Sequence, residues 1–193
     1  MKKTKLLYPP GDFAIWIVIY IELITFGLFF IGYAFSRRLD VETFNTSQLL
    51  LDQRAGFINT LVLITSSYFV VKAVTIIKQR NLQEDFQNAS RWILSAIGLG
   101  GIFLIIKLIE FSDKYAQGIN LSTNTFFMFY FILTIFHFLH VILGMIILFN
   151  LYQNTKSKKY TITEHQGLET GASYWHMVDL LWIVLFPLVY IIR

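Results

Sequence analysis

The chain has 193 residues, of which 55% are hydrophobic, 19 are phenylalanine and only 3 are proline. A soluble domain of this size rarely carries so much apolar surface, whereas a helical bundle in lipid does. There is no cysteine, which excludes disulfides, iron–sulfur clusters, cysteine-bound zinc and thiolate copper centres. The net charge of +4 does not indicate nucleic-acid binding, because the basic residues lie between apolar segments rather than in one stripe.

Five apolar segments are long enough to cross the hydrocarbon core of a bilayer as helices. The first segment is longer than the apolar part of a signal peptide, and no small-residue cleavage site follows it. We therefore expect it to stay in the protein as a membrane span. The polar connections are too short to be separate domains. We therefore predict one all-α domain over residues 1–193, an integral membrane bundle of five transmembrane helices. The predicted spans are approximately residues 11–35, 55–77, 91–111, 125–152 and 172–192.

The orientation of the bundle is predicted from the basic residues of the connections, which are more frequent on the inner side of membrane proteins. Placing the N-terminus inside puts more lysine and arginine residues in inner than in outer segments. It also brings Trp16, Trp92 and Trp175 close to inner helix ends, where indole rings favour the membrane interface. We therefore predict that the N-terminus is inside and the C-terminus outside.

Small and hydroxyl residues predict where neighbouring helices approach closely. The third span carries a small-xxx-small pair with two further glycines beside it. In the fourth span, a glycine shares one helical face with a threonine, a histidine and a valine. Late in the fifth span, Pro187 removes a backbone donor and predicts a bend. The predicted packing residues are Ala96, Gly98, Gly100, Gly101 and Gly144, and the hydroxyl residues that can bond between helices are Thr60, Ser66 and Ser67.

Ionisable residues lie within the predicted spans, where a charge is costly and usually faces the protein interior. Glu22 lies about halfway along the first span. It is either a proton-exchanging group, a ligand to another subunit, or a neutral carboxyl that joins two helices. Lys107 and Glu110 are one turn apart and predict an ion pair, although the lysine is near enough to the outer end to reach the membrane surface. The predicted buried polar core consists of Glu22, Lys107, Glu110, His137, His140, His176 and Asp179.

The histidines allow two interpretations each. His137 and His140 share part of one helix face, which suits metal or haem ligation. No carboxylate or thiolate ligand lies nearby in the sequence, so a network of buried histidines that are hydrogen-bonded to their neighbours is favoured. His176 and Asp179 are three residues apart, so the carboxylate could orient the imidazole and relay protons, or the two could clamp neighbouring helices together.

The number of histidines also limits the catalytic roles that the chain can have. A haem-copper catalytic centre needs roughly six histidines for its haem and copper ligands, and the chain has 4 in all. The sequence contains no P-loop, GxSxG, HExxH or glycine-rich dinucleotide turn. We therefore predict that this chain has no catalytic residue and binds no metal or redox cofactor itself.

Several of these segments resemble subunit III of the haem-copper oxidase superfamily, the cytochrome c oxidase subunit III-like family. Residues 174–182, YWHMVDLLW, resemble its terminal YWHxVDxxW signature, and residues 134–144 are similar to its TxxHxxHVxxG element. Asn59-Thr60 and residues 63–67 are similar to its NT…LxTSS segment, and Glu22 corresponds to its buried carboxylate.

One branch of this family is more similar than the others. The segment around Lys107 and Glu110 and the end of the chain resemble the five-helix, NorE-type members, which are associated with nitric oxide reductase systems. On that resemblance the chain has no counterpart of the first two helices of the seven-helix mitochondrial type.

The resemblance implies a non-catalytic subunit of a terminal oxidase or nitric oxide reductase complex in the bacterial plasma membrane. It would lie beside a haem-bearing subunit I and a subunit II, stabilise subunit I and support its proton supply. Haem and copper are then expected in the partner subunit, and membrane phospholipid is a candidate ligand. Two alternatives remain: a small proton-coupled transporter using Glu22 and the His176/Asp179 pair, and a cytochrome using His137 or His140 with a second axial histidine.

Overall fold

The computed structural model describes residues 11–79, 83–161 and 164–192, and over these residues it contains helices and no strands. Five helices are long and apolar enough to cross a membrane, which confirms the predicted class and number of spans. The helices are α1 (Phe13–Leu39), α2 (Val41–Gln48), α3 (Gln53–Gln79), α4 (Gln83–Ala116), α5 (Thr125–Lys156) and α6 (Gln166–Phe186), and a π-helical turn follows over Pro187–Ile191.

The helices extend beyond the predicted spans. For example, α4 begins at Gln83 rather than near residue 91, and α6 begins at Gln166 rather than near residue 172. Hydropathy marks only the part of a helix that is apolar, whereas backbone hydrogen bonding continues into polar ends that water can solvate.

The short helix α2 lies in a segment that was predicted to be a polar connection. Its N-cap is Asp40, whose carboxylate accepts a hydrogen bond of 3.2 Å from the Thr43 amide. An aspartate at this position stabilises a helix start by satisfying a free amide. Phe44 of α2 is fully buried between Tyr33 and Phe126, so α2 is held against the end of the bundle.

At Pro187, where a bend was predicted, the helix changes from α-helical to π-helical hydrogen bonding. The α-helical pattern of α6 ends at Phe186, and the Ile192 amide donates a 2.9 Å hydrogen bond to the Pro187 carbonyl, five residues earlier. Proline has no amide hydrogen, so the regular bonding pattern cannot pass through it. The π turn includes Tyr190, a buried residue of the site described below.

The most extensive helix contacts are between α3 and α4, followed by α4 with α5, α5 with α6, and α3 with α6. These four helices form the centre of the bundle, and α1 packs less extensively against α5 and α6. Most of the surface of α1 is therefore exposed in the isolated chain, including Ile24, Leu28 and Ile31. We call the end where α1 and α6 begin the N-terminal end, and the end that carries α2 the opposite end.

The small residues explain how α4, α5 and α6 come together. Ala96 is fully buried, and Cβ atoms built on Gly100 and Gly144 would lie 3.1 Å and 2.7 Å from the Trp175 ring. The Trp175 indole thus fills the space that the two glycines leave. It is wholly buried, so its ring packs inside the bundle rather than facing lipid or solvent in the described chain.

Two other predicted packing residues do not take part. A Cβ atom on Gly98 or Gly101 would have nothing within 4 Å, so the prediction that they extend the contact is wrong for the described chain. At 3.6 residues per turn, Gly98 lies on the far side of α4 from Ala96, and only one face can meet α5 and α6.

The predicted hydroxyl bonds between helices are present. Ser66 donates a 2.9 Å bond to the Ala96 carbonyl of α4, and Thr60 accepts a 3.0 Å bond from the Trp182 indole of α6. Ser67 bonds to His176, as described below.

Candidate functional site: the buried polar groups

The predicted polar residues occupy four separate places in the bundle. Near the opposite end, Lys107 and Glu110 form a group with two tyrosines, which we call the tyrosine cluster (Lys107, Glu110, Tyr130 and Tyr190). Glu22 and His140 form the α1–α5 pair. Ser67 and His176 form the α3–α6 contact, near Asp179, and His137 lies alone between α5 and α6.

The tyrosine cluster uses both oxygens of the Glu110 carboxylate. Oε2 accepts a 3.0 Å bond from the Lys107 ammonium, and Oε1 accepts bonds of 2.7 Å from Tyr130 and 2.6 Å from Tyr190. Lys107 also donates a 2.5 Å bond to the Tyr190 hydroxyl. Because Tyr130 belongs to α5 and Tyr190 to the π turn after α6, the cluster joins three helices around one carboxylate.

The predicted Lys107–Glu110 pair is therefore present, but the lysine does not reach the membrane surface. Its side chain is fully buried, and Nζ lies between 5.0 and 5.5 Å from the ring centroids of four aromatic side chains. Aromatic faces attract a desolvated cation, so the rings and the carboxylate together replace its hydration shell. The rings belong to Phe111, Tyr130, Trp182 and Tyr190.

A cavity of about 290 Å³ lies beside this cluster, between the start of α3 and the last part of α4. Glu110 lines it together with Asp52, Asp113 and Lys114. The Lys114 ammonium donates a 2.5 Å bond to the Leu50 carbonyl, which fixes α4 to the segment after α2. The cluster is thus in contact with aromatic rings around Lys107 and with a cavity through Glu110.

The α1–α5 pair joins a glutamate and a histidine from different helices. Glu22 Oε2 lies 3.0 Å from His140 Nε2, and His140 Nδ1 lies 2.7 Å from the Phe136 carbonyl. A carbonyl can only accept, so Nδ1 must carry a hydrogen and Nε2 is left to share a proton with the carboxyl group. The pair can exist as carboxylic acid with neutral imidazole or as carboxylate with imidazolium. Both forms hold one proton between the two residues.

His137 has a different environment from His140, although the two are three residues apart. Its Nε2 lies 3.1 Å from the Val178 carbonyl of α6, so Nε2 carries the hydrogen. Its Nδ1 is buried and has no hydrogen-bond partner among the described residues. The ring packs against Phe103 and Trp182, with centroids 5.6 and 5.1 Å away. The two imidazoles therefore face different helices.

The described residues contain no group of three or more histidine, aspartate or glutamate side chains arranged to hold a metal ion. The α1–α5 pair supplies two of the required groups, and His137 is directed to α6 instead. The sequence could not show that a carboxylate accompanies His140, because Glu22 lies on a distant helix.

His176 bonds to a different residue from the expected one. Its Nδ1 lies 2.5 Å from the Ser67 hydroxyl of α3 but 3.7 Å from Asp179 Oδ2. Asp179 is still within ion-pair distance, but the serine of α3 is the closer partner, and nothing in the local sequence indicated it. The contact joins α3 to α6, as in the clamp interpretation.

One ion pair at the N-terminal end was not predicted. Lys78 at the end of α3 pairs with Glu169 in the first turn of α6. Glu169 also accepts a 3.2 Å bond from the Gly11 amide, and its Oε1 lies 3.5 Å from His165. This group connects the starts of α1 and α6 to α3, and Lys78, His165 and Glu169 fall in segments that hydropathy assigned to connections.

Comparison with known proteins identifies the family. The family model for cytochrome c oxidase subunit III matches residues 40–193. The cytochrome c oxidase subunit 3 of Thermostichus vulcanus is 32% identical over 136 residues, which cover 70% of this chain and 64% of that protein. The probable cytochrome c oxidase subunit 3 of Rickettsia conorii is 36% identical over 141 residues, 70% of this chain and 46% of that protein.

A third relative is much longer. The heme-copper oxidase subunit I+III of Aeropyrum pernix is 29% identical over 188 residues, which cover 93% of this chain but 22% of that protein. The chain thus spans only part of the length of each of these three relatives.

The family match includes the segments on which the resemblance was based, except for Glu22, which precedes the matched residues. Those segments supply Ser67 and His176 of the α3–α6 contact and His137 and His140 of α5. With five apolar helices, the chain is a multi-pass protein of the bacterial plasma membrane, and it belongs to the cytochrome c oxidase subunit III family.

Proposed function

We propose that this chain is a non-catalytic subunit of a haem-copper oxidase or nitric oxide reductase complex and packs against a haem-bearing subunit I. One observation carries the proposal. The Aeropyrum pernix relative is named subunit I+III, and almost the whole of this chain aligns with a small part of it. Two subunits joined in one polypeptide must work in the same assembly, so the partner proposed for this separate chain is subunit I. Subunit II is proposed as a further component.

The first proposed contribution is mechanical. In the tyrosine cluster, the four polar side chains bond to one another and hold α4, α5 and the turn after α6 in one arrangement. The α3–α6 contact and the ion pair of Lys78 with Glu169 join the remaining helices in the same way. A bundle fixed at both ends suits a subunit that supports a larger neighbour. The haem and copper of the reaction are assigned to that neighbour.

The second proposed contribution is to proton supply, and we assign it to the α1–α5 pair. Glu22 Oε2 and His140 Nε2 lie 3.0 Å apart, close enough for one proton to be shared between them, and the Glu22 side chain is 24% exposed. It lies on α1, which is the least buried of the five membrane-spanning helices and leaves the most surface for a partner. A shared proton beside such a surface can be exchanged with a neighbouring subunit. The tyrosine cluster is less suited to exchange, because lysine and tyrosine donors hold both oxygens of its carboxylate.

The transporter alternative has less support. It would need polar groups that continue from one side of the bundle to the other. Phe103 and Trp182 pack against each other with centroids 5.0 Å apart, and both pack against His137. These rings fill the core between the tyrosine cluster and the polar groups nearer the N-terminal end.

The proposal includes an orientation and a branch of the family. Lys78, Arg91, Lys156 and Lys158 lie towards the N-terminal end of the bundle, which favours that end, and hence the N-terminus, on the inner side. We further propose that residues 1–193 act as one membrane domain of the five-helix, NorE-type branch.

Removal of the chain from its complex tests the proposed function. The haem-bearing complex should be purified with and without this chain and compared for oxygen and nitric oxide consumption, activity loss during turnover and proton release in liposomes. We expect the haem spectrum to survive removal, while activity decays faster and proton release falls. A haem-bearing complex that behaves identically without the chain, or haem that leaves with the chain, would contradict the proposal.

A further inference from the structure

A cavity of about 430 Å³ lies at the N-terminal end of the bundle, between the first turns of α1 and α6 and the last part of α5. Its lining combines aliphatic side chains with uncharged polar ones, and among the described residues no charged side chain lines it. The ion pair of Lys78 with Glu169 at the same end is outside the lining. Water can be hydrogen-bonded in such a cavity, whereas a metal ion or an organic anion would find no opposite charge. The polar lining residues are Asn150, Tyr160, Thr170 and Tyr174.

Tyr174 differs from the other polar lining residues in its hydrogen bonding. The Asn150 side chain accepts a 2.7 Å bond from Asn154, and the Thr170 hydroxyl accepts a 2.9 Å bond from the Asp12 amide. Tyr174 is 3% exposed, and its hydroxyl has no hydrogen-bond partner among the described residues. A buried hydroxyl without a partner is unfavourable, so a hydrogen-bonding molecule that enters through the cavity would be stabilised at Tyr174.

The α1–α5 pair lies deeper along the same groove as the cavity. Glu22 follows the lining residue Ile15 by seven positions on α1, and His140 precedes the lining residue Ile147 by seven positions on α5. Seven residues make two helical turns, so each member of the pair shares a helix face with a lining residue. The same spacing places the pair about 10 Å farther from the N-terminal end than these lining residues.

Tyr174 of α6 lies between the cavity and the pair. Its Cε1 atom would lie 3.5 Å from a Cβ built on Gly144, and Gly144 is one turn from His140 in one direction and one turn from Ile147 in the other. The Glu22 carboxylate is close enough for its charge to act on the Tyr174 hydroxyl. A hydroxyl group both donates and accepts hydrogen bonds, so this side chain is suited to pass a proton from water to the pair.

We propose that this cavity is the route by which protons reach the α1–α5 pair from the solution at the N-terminal end, with Tyr174 as the relay. The inference rests on the proposed proton exchange of the pair. After the pair has given up its proton, it consists of the Glu22 carboxylate and neutral His140. It then accepts the hydroxyl hydrogen of Tyr174, while the adjacent water gives a hydrogen to the Tyr174 oxygen and takes one from the next water. The solution supplies the last proton, so Tyr174 and the waters are neutral before and after the transfer.

Tyr174→Phe is the informative variant, because it removes the hydroxyl and keeps the ring beside Gly144. The full chain in lipid nanodiscs would be followed by time-resolved infrared spectroscopy after a photochemical pH jump, and the signals of the pair are those that Glu22→Gln lacks. A positioned proton donor contributes about 10²–10⁴-fold to the rate of a transfer. We therefore expect the pair to gain its proton at least roughly a hundredfold more slowly in Tyr174→Phe. Tyr152→Phe makes the same change on α5 outside the cavity lining and should keep the wild-type rate.

Thermal unfolding of the same proteins separates a relay from a structural role. Because the Tyr174 hydroxyl has no partner among the described residues, Tyr174→Phe should unfold at or above the wild-type temperature. Three results would overturn the route: a wild-type rate in Tyr174→Phe, an equal slowing in Tyr152→Phe, and an unfolding temperature of Tyr174→Phe below the wild type. The first of these would leave proton exchange at Glu22 intact. A wild-type pair that exchanges no proton after the jump would instead contradict the proposed function.

Discussion

Replacement of Glu110 by glutamine tests the tyrosine cluster most sharply. The amide keeps the shape of the carboxyl group, and its oxygen can still accept from Tyr130 and Tyr190. The charge is lost, however, and the amide NH₂ would face the Lys107 ammonium, which now lies 3.0 Å from a carboxylate oxygen. The lysine side chain is fully buried and cannot turn to water. Glu110→Gln therefore leaves an uncompensated charge in the bundle.

The size of the effect follows from this burial. Removing one partner of a buried ion pair costs about 3–5 kcal/mol, because the remaining charge stays desolvated. For a chain of this length, each kcal/mol lowers the unfolding temperature by about 2–4 °C. We therefore expect Glu110→Gln to unfold about 6–20 °C below the wild type in mild detergent, as measured by loss of the monomer peak in size-exclusion chromatography after heating.

Two matched variants separate the charge from other effects. Lys107→Met/Glu110→Gln removes both charges and should recover most of the lost stability, because a neutral pair carries no desolvation penalty. Asp113→Asn makes the same carboxylate-to-amide change at an exposed position three residues along α4 and should change the free energy of unfolding by about 0.5 kcal/mol or less. Two results would refute this explanation. One is an unfolding temperature of Glu110→Gln equal to that of Asp113→Asn, and the other is a double variant that is less stable than Glu110→Gln.

Three further predictions concern other parts of the bundle. Glu22→Gln should leave the complex assembled but slow its gas consumption, because the amide keeps the bond to its histidine partner and cannot release a proton; unchanged turnover and proton release across pH would leave Glu22 a structural role. Ser67→Ala should lower the free energy of unfolding by about 1 kcal/mol and more than Asp179→Ala does, because the serine contact of 2.5 Å is the shorter one; the reverse order in thermal unfolding would contradict this. Gly144→Ala should destabilise by about 1–3 kcal/mol, since its Cβ would lie 2.7 Å from an indole ring, while Gly98→Ala, with nothing within 4 Å, should be neutral or stabilising in the same assay.

The parts of the structure that depend on one helix at a time could be predicted from sequence. Hydropathy located all five spans, and the three-residue spacing of Lys107 and Glu110 predicted their ion pair. Spacing also placed Asp179 within 3.7 Å of His176, but it could not show that Ser67 of another helix is the closer partner.

The contacts between helices could not be predicted, because hydropathy does not define how far one helix is shifted or rotated against the next. Glu22 and His140 are 118 positions apart in sequence, and nothing in the local pattern of either indicates the other. Tyr130 and Tyr190 were missed for the same reason, although their hydroxyl groups complete the tyrosine cluster. The start of α2 did carry a local signal, since Asp40 is a favourable N-cap.

The most direct test of the proposed function is affinity purification of this chain with a tag, in mild detergent, followed by an optical spectrum and mass spectrometry of the proteins that accompany it. We predict haem absorbance together with a separate, larger subunit I, and no haem on this chain once that subunit is removed. A colourless bundle without a partner, or haem that stays with the isolated chain, would contradict the account.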